Sequence, residues 1–189
     1  GYAGWKHASR FLKEVFQVPM QTVGIDASME ACKYYSMSHD AILVDSVSTA
    51  LPQNIDQWNS DFIVLGDIDD DAWVPAICEW GVHVMSISAP CPPWSGASKG
   101  SGLDSDQGSL LPSAILRCRH IRPLVVVLEQ VNAFATHRHK NLCMDVLKHV
   151  GYQVVAQKVI DSAKFGGVTR IRWLAIAIHR HAEQIRDRK

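Results

Sequence analysis

Ala89-Pro90-Cys91-Pro92-Pro93-Trp94-Ser95-Gly96-Ala97-Ser98 is the stretch from which the rest of the chain is read. An apolar run, Val82 to Ile87, leads into it, and a glycine- and serine-rich loop leads out. The pattern predicts a buried strand, Gly81 to Ser88, ending in a stiff turn that carries a thiol. Pro90 and Pro92 flank Cys91. Proline locks its own φ and pushes the residue before it toward extended backbone, so Cys91 is expected to be extended. An open α/β sheet collects its ligands outside the carboxyl ends of its strands. A thiol there is a candidate nucleophile. A lone loop cysteine also reads as a structural one, so the other segments decide.

Downstream, Lys99 to Ser109 is rich in Gly, Ser and Asp and reads as a substrate loop or mobile lid. Leu110 to His120 follows as a helix. Pro123 to Leu128 is nearly continuous in β-branched residues and is the clearest buried strand, ending at Glu129-Gln130-Val131. Leu142 to Val150 reads as a helix stopped by Gly151, Val154 to Ile160 as a strand, and Trp173 to Ile178 as the last strand. Phe165-Gly166-Gly167 and Thr169-Arg170-Ile171-Arg172 lie between those two strands.

Upstream, Gly1-Tyr2-Ala3-Gly4 opens a helical pattern from Ala8 to Phe16, a start that suits backbone N–H groups approaching a nucleotide-like ligand. Thr22 to Asp26 reads as a short strand ending in an acid, with a helix from Ala27 to Ser38. Asp26 is placed either to accept hydrogen bonds from ribose hydroxyls or to cap that helix. Ala41 to Val44 is a further candidate strand. Asp61 to Asp67 is an apolar run ending in an acid. Asp69, Asp70 and Asp71 then complement the dipole of a helix from Ala72 to Trp80. Strands alternating with helices predict an α/β fold, a mostly parallel sheet with helices on both faces. Asp26, Asp67, Cys91 and Glu129 would then gather at one edge of that sheet.

The 189 residues suffice for one domain with its own core, and 47% hydrophobic and 20% charged residues are ordinary for a globular protein. Nineteen basic and nineteen acidic residues exclude binding to nucleic acid by bulk charge alone. Five cysteines, Cys32, Cys78, Cys91, Cys118 and Cys143, include no Cys-x-x-Cys pair, so no disulfide framework or zinc ribbon is expected. His137-Arg138-His139 with Cys143 is short of a four-ligand set, and no metal is expected. No apolar stretch is long enough to span a membrane and no signal peptide is visible. The first residue is glycine, and the chain is expected to be part of a longer polypeptide.

These blocks resemble, in order and approximate spacing, those of the DNA (cytosine-5) methyltransferase family. Pro90-Cys91 with its aromatic-Ser pair Trp94-Ser95 matches the central signature. Leu103 to Leu110 matches the next block, Glu129-Gln130-Val131 a Glu-Asn-Val strand end, and Arg170-Ile171-Arg172 the arginine pair. Pro92, Gln107 and Gln130 stand where the family has glutamine, arginine and asparagine. The resemblance implies a Rossmann-like S-adenosylmethionine-dependent methyltransferase fold, with residues 1–180 as the catalytic core, incomplete at both ends, and 181–189 as a charged tail or linker. It implies Cys91 as the nucleophile on C6 of a flipped cytosine and Glu129 as the group at N3. Arg170 and Arg172 would orient the base. Gly1, Ala3, Gly4 and Trp5 would form the cofactor loop with Asp26 on the ribose, Asp67 on the adenine amine, and Pro90 beside the thiol. The partner implied is DNA, in an intracellular setting, nuclear if the source is eukaryotic and cytoplasmic otherwise. On this resemblance the chain is expected to hold most of the catalytic core without the family's target-recognition region and last motif.

Other readings stay open on the residues. Pro92-Pro93-Trp94 also resembles the Pro-Pro-aromatic motif of amino-methyltransferases, which need no cysteine. An RNA cytosine-5 methyltransferase would share this core, and a non-catalytic scaffold of the same fold would keep it without the chemistry.

Overall fold

The computed structural model describes residues 23–39, 41–44, 62–65, 74–79, 81–96 and 99–182. The chain divides into two compact units, Gly1–Trp80 and Gly81–Lys189.

In the first unit, β1 (Val23–Asp26), β2 (Ile42–Val44) and β3 (Phe62–Leu65) form a parallel sheet in the order β1-β3-β2. Helix α1 (Met29–His39) buries Cys32 and Tyr35 against Ala41 and Leu43. Ser28 caps this helix by accepting from the Ala31 N–H at 3.2 Å, and Asp26 Oδ1 accepts from the Ser28 N–H at 2.8 Å. Of the two roles open to Asp26, helix cap therefore passes to Ser28, because the helix begins two residues later than the apolar pattern suggests. A short helix, α2 (Val74–Glu79), closes the described part of the unit. Gly1, Ala3, Gly4, Trp5, Asp67 and the acids 69–71 lie outside the described residues, as does the helix expected over 8–16.

The second unit holds β4 (Val84–Ile87), α3 (Asp106–Ile121), β5 (Val125–Val131), α4 (Lys140–His149), β6 (Tyr152–Asp161) and β7 (Ile171–His179). The sheet order is β4-β5-β7-β6, with β4 and β5 parallel and both β5–β7 and β7–β6 antiparallel. The antiparallel pairs refine the parallel reading: nine residues, 162–170, join β6 to β7, too few for a crossover and enough for a hairpin.

Alternation decides the two faces of this sheet. Val126, Leu128 and Gln130 on β5 are buried, opposite Ala177, Ala175 and Trp173 on β7. Helix α3 meets this face with Leu111, Ala114, Ile115, Cys118 and Ile121, all buried at helical spacing. Cys118 Sγ lies 3.7 Å from Met85 Sδ of β4. Each fully buried Leu or Ile here stabilises by about 2 kcal/mol. Helix α4 adds Cys143, Met144 and Leu147 beside α3 and β6, and Tyr152 donates its hydroxyl to the Pro123 carbonyl at 2.7 Å. The other face carries Glu129, Val131, Arg172 and Leu174, with Ile176 and Ile178 exposed along it.

The connection read as a loop from Lys99 to Ser109 is shorter than expected. A 3-10 turn occupies Gly102–Asp104, and α3 starts at Asp106, capped by Ser105, whose Oγ accepts from the Gly108 N–H at 3.2 Å. Four of the residues that resembled a loop, Asp106, Gln107, Gly108 and Ser109, are thus the first turn of a helix.

Candidate active site

Cys91 follows β4 by four residues, and its side chain is exposed. Its backbone corrects the expectation of extended geometry: φ is −89° and ψ is −19°. The chain turns at once into the 3-10 turn Pro92–Trp94, in which the Trp94 N–H donates to the Cys91 carbonyl at 3.1 Å. That turn overrides the preference set by Pro92. Pro90, also exposed, precedes the thiol.

Strand β5 pairs with β4 in parallel, Ile87 opposite Leu128, so the ends of the two strands leave the sheet side by side. Glu129 stands near that end of β5. Its Oε1 accepts from Arg172 Nε at 2.8 Å, with the side chains 19% and 28% exposed respectively. The register explains the pair. Glu129 is opposite Leu174 and Arg172 opposite Val131, which makes them diagonal neighbours on one face of an antiparallel ladder. Arg172 Nη1 also donates to the Ile171 carbonyl at 2.9 Å. A partly buried guanidinium beside it keeps this carboxylate from facing the sheet unpaired.

Arg170 is not part of that pair. Its backbone N–H donates to Asp161 Oδ1 at 3.1 Å in the β6–β7 hairpin, and its side chain is exposed. Asp26 stands exposed at the carboxyl end of β1, in the other unit.

Residue Gln130 has a function that composition did not suggest. It is 1% exposed, and its Nε2 donates to the Ala89 carbonyl at 2.7 Å, two residues before the thiol. Sequence marked it only as an unexpected residue after a glutamate. Trp94 is buried edge-on to Phe134 and His137, with ring centroids 5.0 and 5.3 Å away, and Phe134 in turn meets Trp173 at 4.8 Å. Its indole N–H is buried without a partner among the described residues. An open cleft of about 730 Å³ borders this cluster, between Ser95, Gly96 and residues 99–101 on one side and Ala133, Thr136, His137 and Arg138 on the other. Asp104 and Arg138 pair across its rim.

His137 and His139 do not assemble with Cys143 as metal ligands. Their ring nitrogens bond backbone groups of residues 100–103 and 139, and Cys143 is buried in α4. Among the described residues no group of three or more His, Cys, Asp or Glu has the spacing of a metal site. Burial pushes the Cys118 thiol up to about 12 and the Cys143 thiol up to about 11. Neither is available as a nucleophile at neutral pH. No helix among the described residues is long and apolar enough to cross a membrane.

The family described as C-5 cytosine-specific DNA methylase matches residues 22–188. The type II methyltransferase M.NaeI of Lentzea aerocolonigenes is 29% identical over 110 residues, 57% of this chain and 26% of its own. The type II methyltransferase M.AluI of Cellulosimicrobium cellulans is 26% identical over 144 residues, 70% of this chain and 27% of its own. The chain thus spans about a quarter of the length of these curated relatives. Among solved structures, the S. pombe Dnmt2 methyltransferase superposes with a TM-score of 0.57 at 16% identity, over 90% of this chain and 46% of that one, a likeness of fold.

Proposed function

Because the chain belongs to the C-5 cytosine-specific DNA methylase family, we propose that it transfers a methyl group from S-adenosylmethionine to C5 of a cytosine taken out of the DNA stack. The observation that carries this reading is the parallel pairing of β4 and β5. An exposed thiol lies just beyond one strand, and an arginine-held carboxylate lies near the same end of the next.

Cytosine C6 is a weak electrophile, so attack needs a soft nucleophile and a proton at N3. In this reading Cys91, as thiolate, forms an S–C6 bond, and the displaced electron pair moves toward C5 and N3. Glu129 holds or delivers the proton at N3, kept in place by Arg172. Arg172, with Arg170 two residues before it, orients the base through O2. C5 takes the methyl group; a base then removes the C5 proton, the C5–C6 double bond reforms, and the sulfur leaves with its electron pair.

The described cofactor residues suit that donor. Asp26 is exposed at a strand tip, and with Oδ1 accepting from Ser28 its carboxylate keeps acceptor capacity for two ribose hydroxyls. Pro90, Gly1, Ala3, Gly4, Trp5 and Asp67 are the other cofactor-binding candidates, by resemblance to the family. When bound, S-adenosylmethionine would supply an electrophilic methyl group, its S–CH3 bond breaking with the electron pair kept by sulfur to leave S-adenosylhomocysteine. The core would be residues 1–180, with 181–189 as a charged tail.

The test is covalent trapping on an oligonucleotide carrying 5-fluorocytosine, with S-adenosylmethionine present. A denaturation-resistant adduct that disappears in Cys91→Ser supports the reading. An adduct that survives the substitution, or methylation of the exocyclic nitrogen, overturns it.

A further inference from the structure

His137 bonds backbone groups through both ring nitrogens, and His139 through one. His139 Nδ1 accepts from the Leu103 N–H at 3.0 Å, so its proton, when the ring is neutral, sits on Nε2. His137 Nδ1 accepts from the His139 N–H at 3.2 Å, which leaves Nε2 as the donor to the Gly100 carbonyl at 3.0 Å. The two rings are 5.3 Å apart, and His137 also packs edge-on against Trp94. Both partners on the other side, Gly100 and Leu103, belong to the segment that leaves Cys91.

Gly102 shows how closely the loop is held. Its φ is +57°, and a Cβ there would overlap the rings of both histidines. The loop is seated under the imidazoles, with the left-handed glycine giving the room. His137 stands in one wall of the 730 Å³ cleft and Gly100 in the other, so their hydrogen bond joins the two walls.

Taken with the Gln130 bond to Ala89, the segment around the thiol is tied on both sides by side chains from residues 130–139, immediately after Glu129. We propose that His137 and His139 are positioning residues: they hold residues 100–103 through the backbone and so tie the segment bearing Cys91 to the strand bearing Glu129. The consequence for methyl transfer rests on the function proposed above; the holding of the loop does not.

The experiment separates the two. Lys99 is exposed at φ +53°, and trypsin cleavage after it reports release of the loop. His139→Ala removes the acceptor for Leu103 and is expected to raise cleavage at Lys99–Gly100 by about tenfold, while His139→Asn, whose amide oxygen takes the place of Nδ1, returns it to within about twofold of the parent. His137→Gln keeps a donor for Gly100 and is expected to cleave more slowly than His137→Ala. In methyl transfer the alanine variants are expected to lower kcat with KM for S-adenosylmethionine unchanged, and the amide variants to restore it. Cleavage in the alanine variants at the parent rate, or no rescue by the amides, overturns the proposal. Should the alanine variants fail to fold, hydrogen exchange on the parent decides: a protected Leu103 amide supports the clamp, and one exchanging as free backbone overturns it. If cleavage responds as expected and no variant, nor the parent, transfers methyl groups, the clamp stands and the function proposed above fails.

Discussion

Arg172 on β7 reaches Glu129 on β5 across a ladder diagonal, Nε to Oε1 at 2.8 Å, on the face of the sheet opposite Gln130 and Trp173. The carboxylate assigned to the cytosine edge is therefore placed by an arginine that the sequence assigned to the base itself.

Removing that arginine should disarm the carboxylate more than it unfolds the sheet. Arg172→Ala is expected to cut methyl transfer by about a hundredfold, within the range for a misplaced acid–base group. Arg172→Lys, a point charge without the planar fork, should recover only part of it. Transfer of labelled methyl groups to cytosine-containing DNA measures both.

Gln130 is expected to be intolerant of shortening. Gln130→Asn restores the residue the family has at this position, but one methylene shorter, and the Ala89 carbonyl loses its donor. A loss of about 1–3 kcal/mol in urea unfolding is expected, the cost of a partly buried polar group left unmade. Unchanged stability would mean that the loop can move to meet the shorter side chain.

Glycine is required at 102 and not at 96. Gly102→Ala meets both histidine rings at positive φ and should lose about 1–3 kcal/mol. Gly96→Ala meets nothing within 4 Å among the described residues and has no left-handed backbone, and should change stability by less than about 0.5 kcal/mol. Equilibrium unfolding of the pair is the check.

The thiols should separate by alkylation rate. Cys91 is the exposed one of the five. Cys118 and Cys143 are buried, with thiols pushed up to about 12 and about 11. At pH 8, iodoacetamide is expected to label Cys91 at least about tenfold faster than either. Equal rates would mean that α3 and α4 open on the labelling timescale.

Acid should weaken the second unit through His179. Burial, then Arg122 and His181, lower its pKa below the usual 6.5. A histidine whose folded pKa is lowered favours the neutral ring in the folded state, so the unfolded chain takes up the proton first. Its contribution is complete above 6.5 and is lost as pH falls from there through the lowered folded value. His179→Gln should flatten that part of the stability–pH curve, measured by urea titrations from pH 8 to 5.

What the sequence determined is the part that local rules carry. The β-branched run before Glu129, the apolar run before Cys91 and the prolines around the thiol announce two strands and a turn, because strand period and proline geometry act over a few residues; the burial expected of β4 is not found, since it buries only Ile87 and leaves Val84 exposed. The start of α3 was less legible, since Ser105 and Asp106 suit a loop and a helix cap equally. Only the tertiary structure decided what Gln130, Arg172, His137 and His139 do. Each acts on a group more than thirty residues away, Ala89, Glu129, Gly100 and Leu103 respectively. The pairing register of β5 with β7 decides that Glu129 and Arg172 share one face while Gln130 turns to the other; one step of slip would exchange them. That register is set by the packing of Trp173, Ala175 and Ala177 against Gln130, Leu128 and Val126, a long-range fit that leaves no periodic trace in the chain.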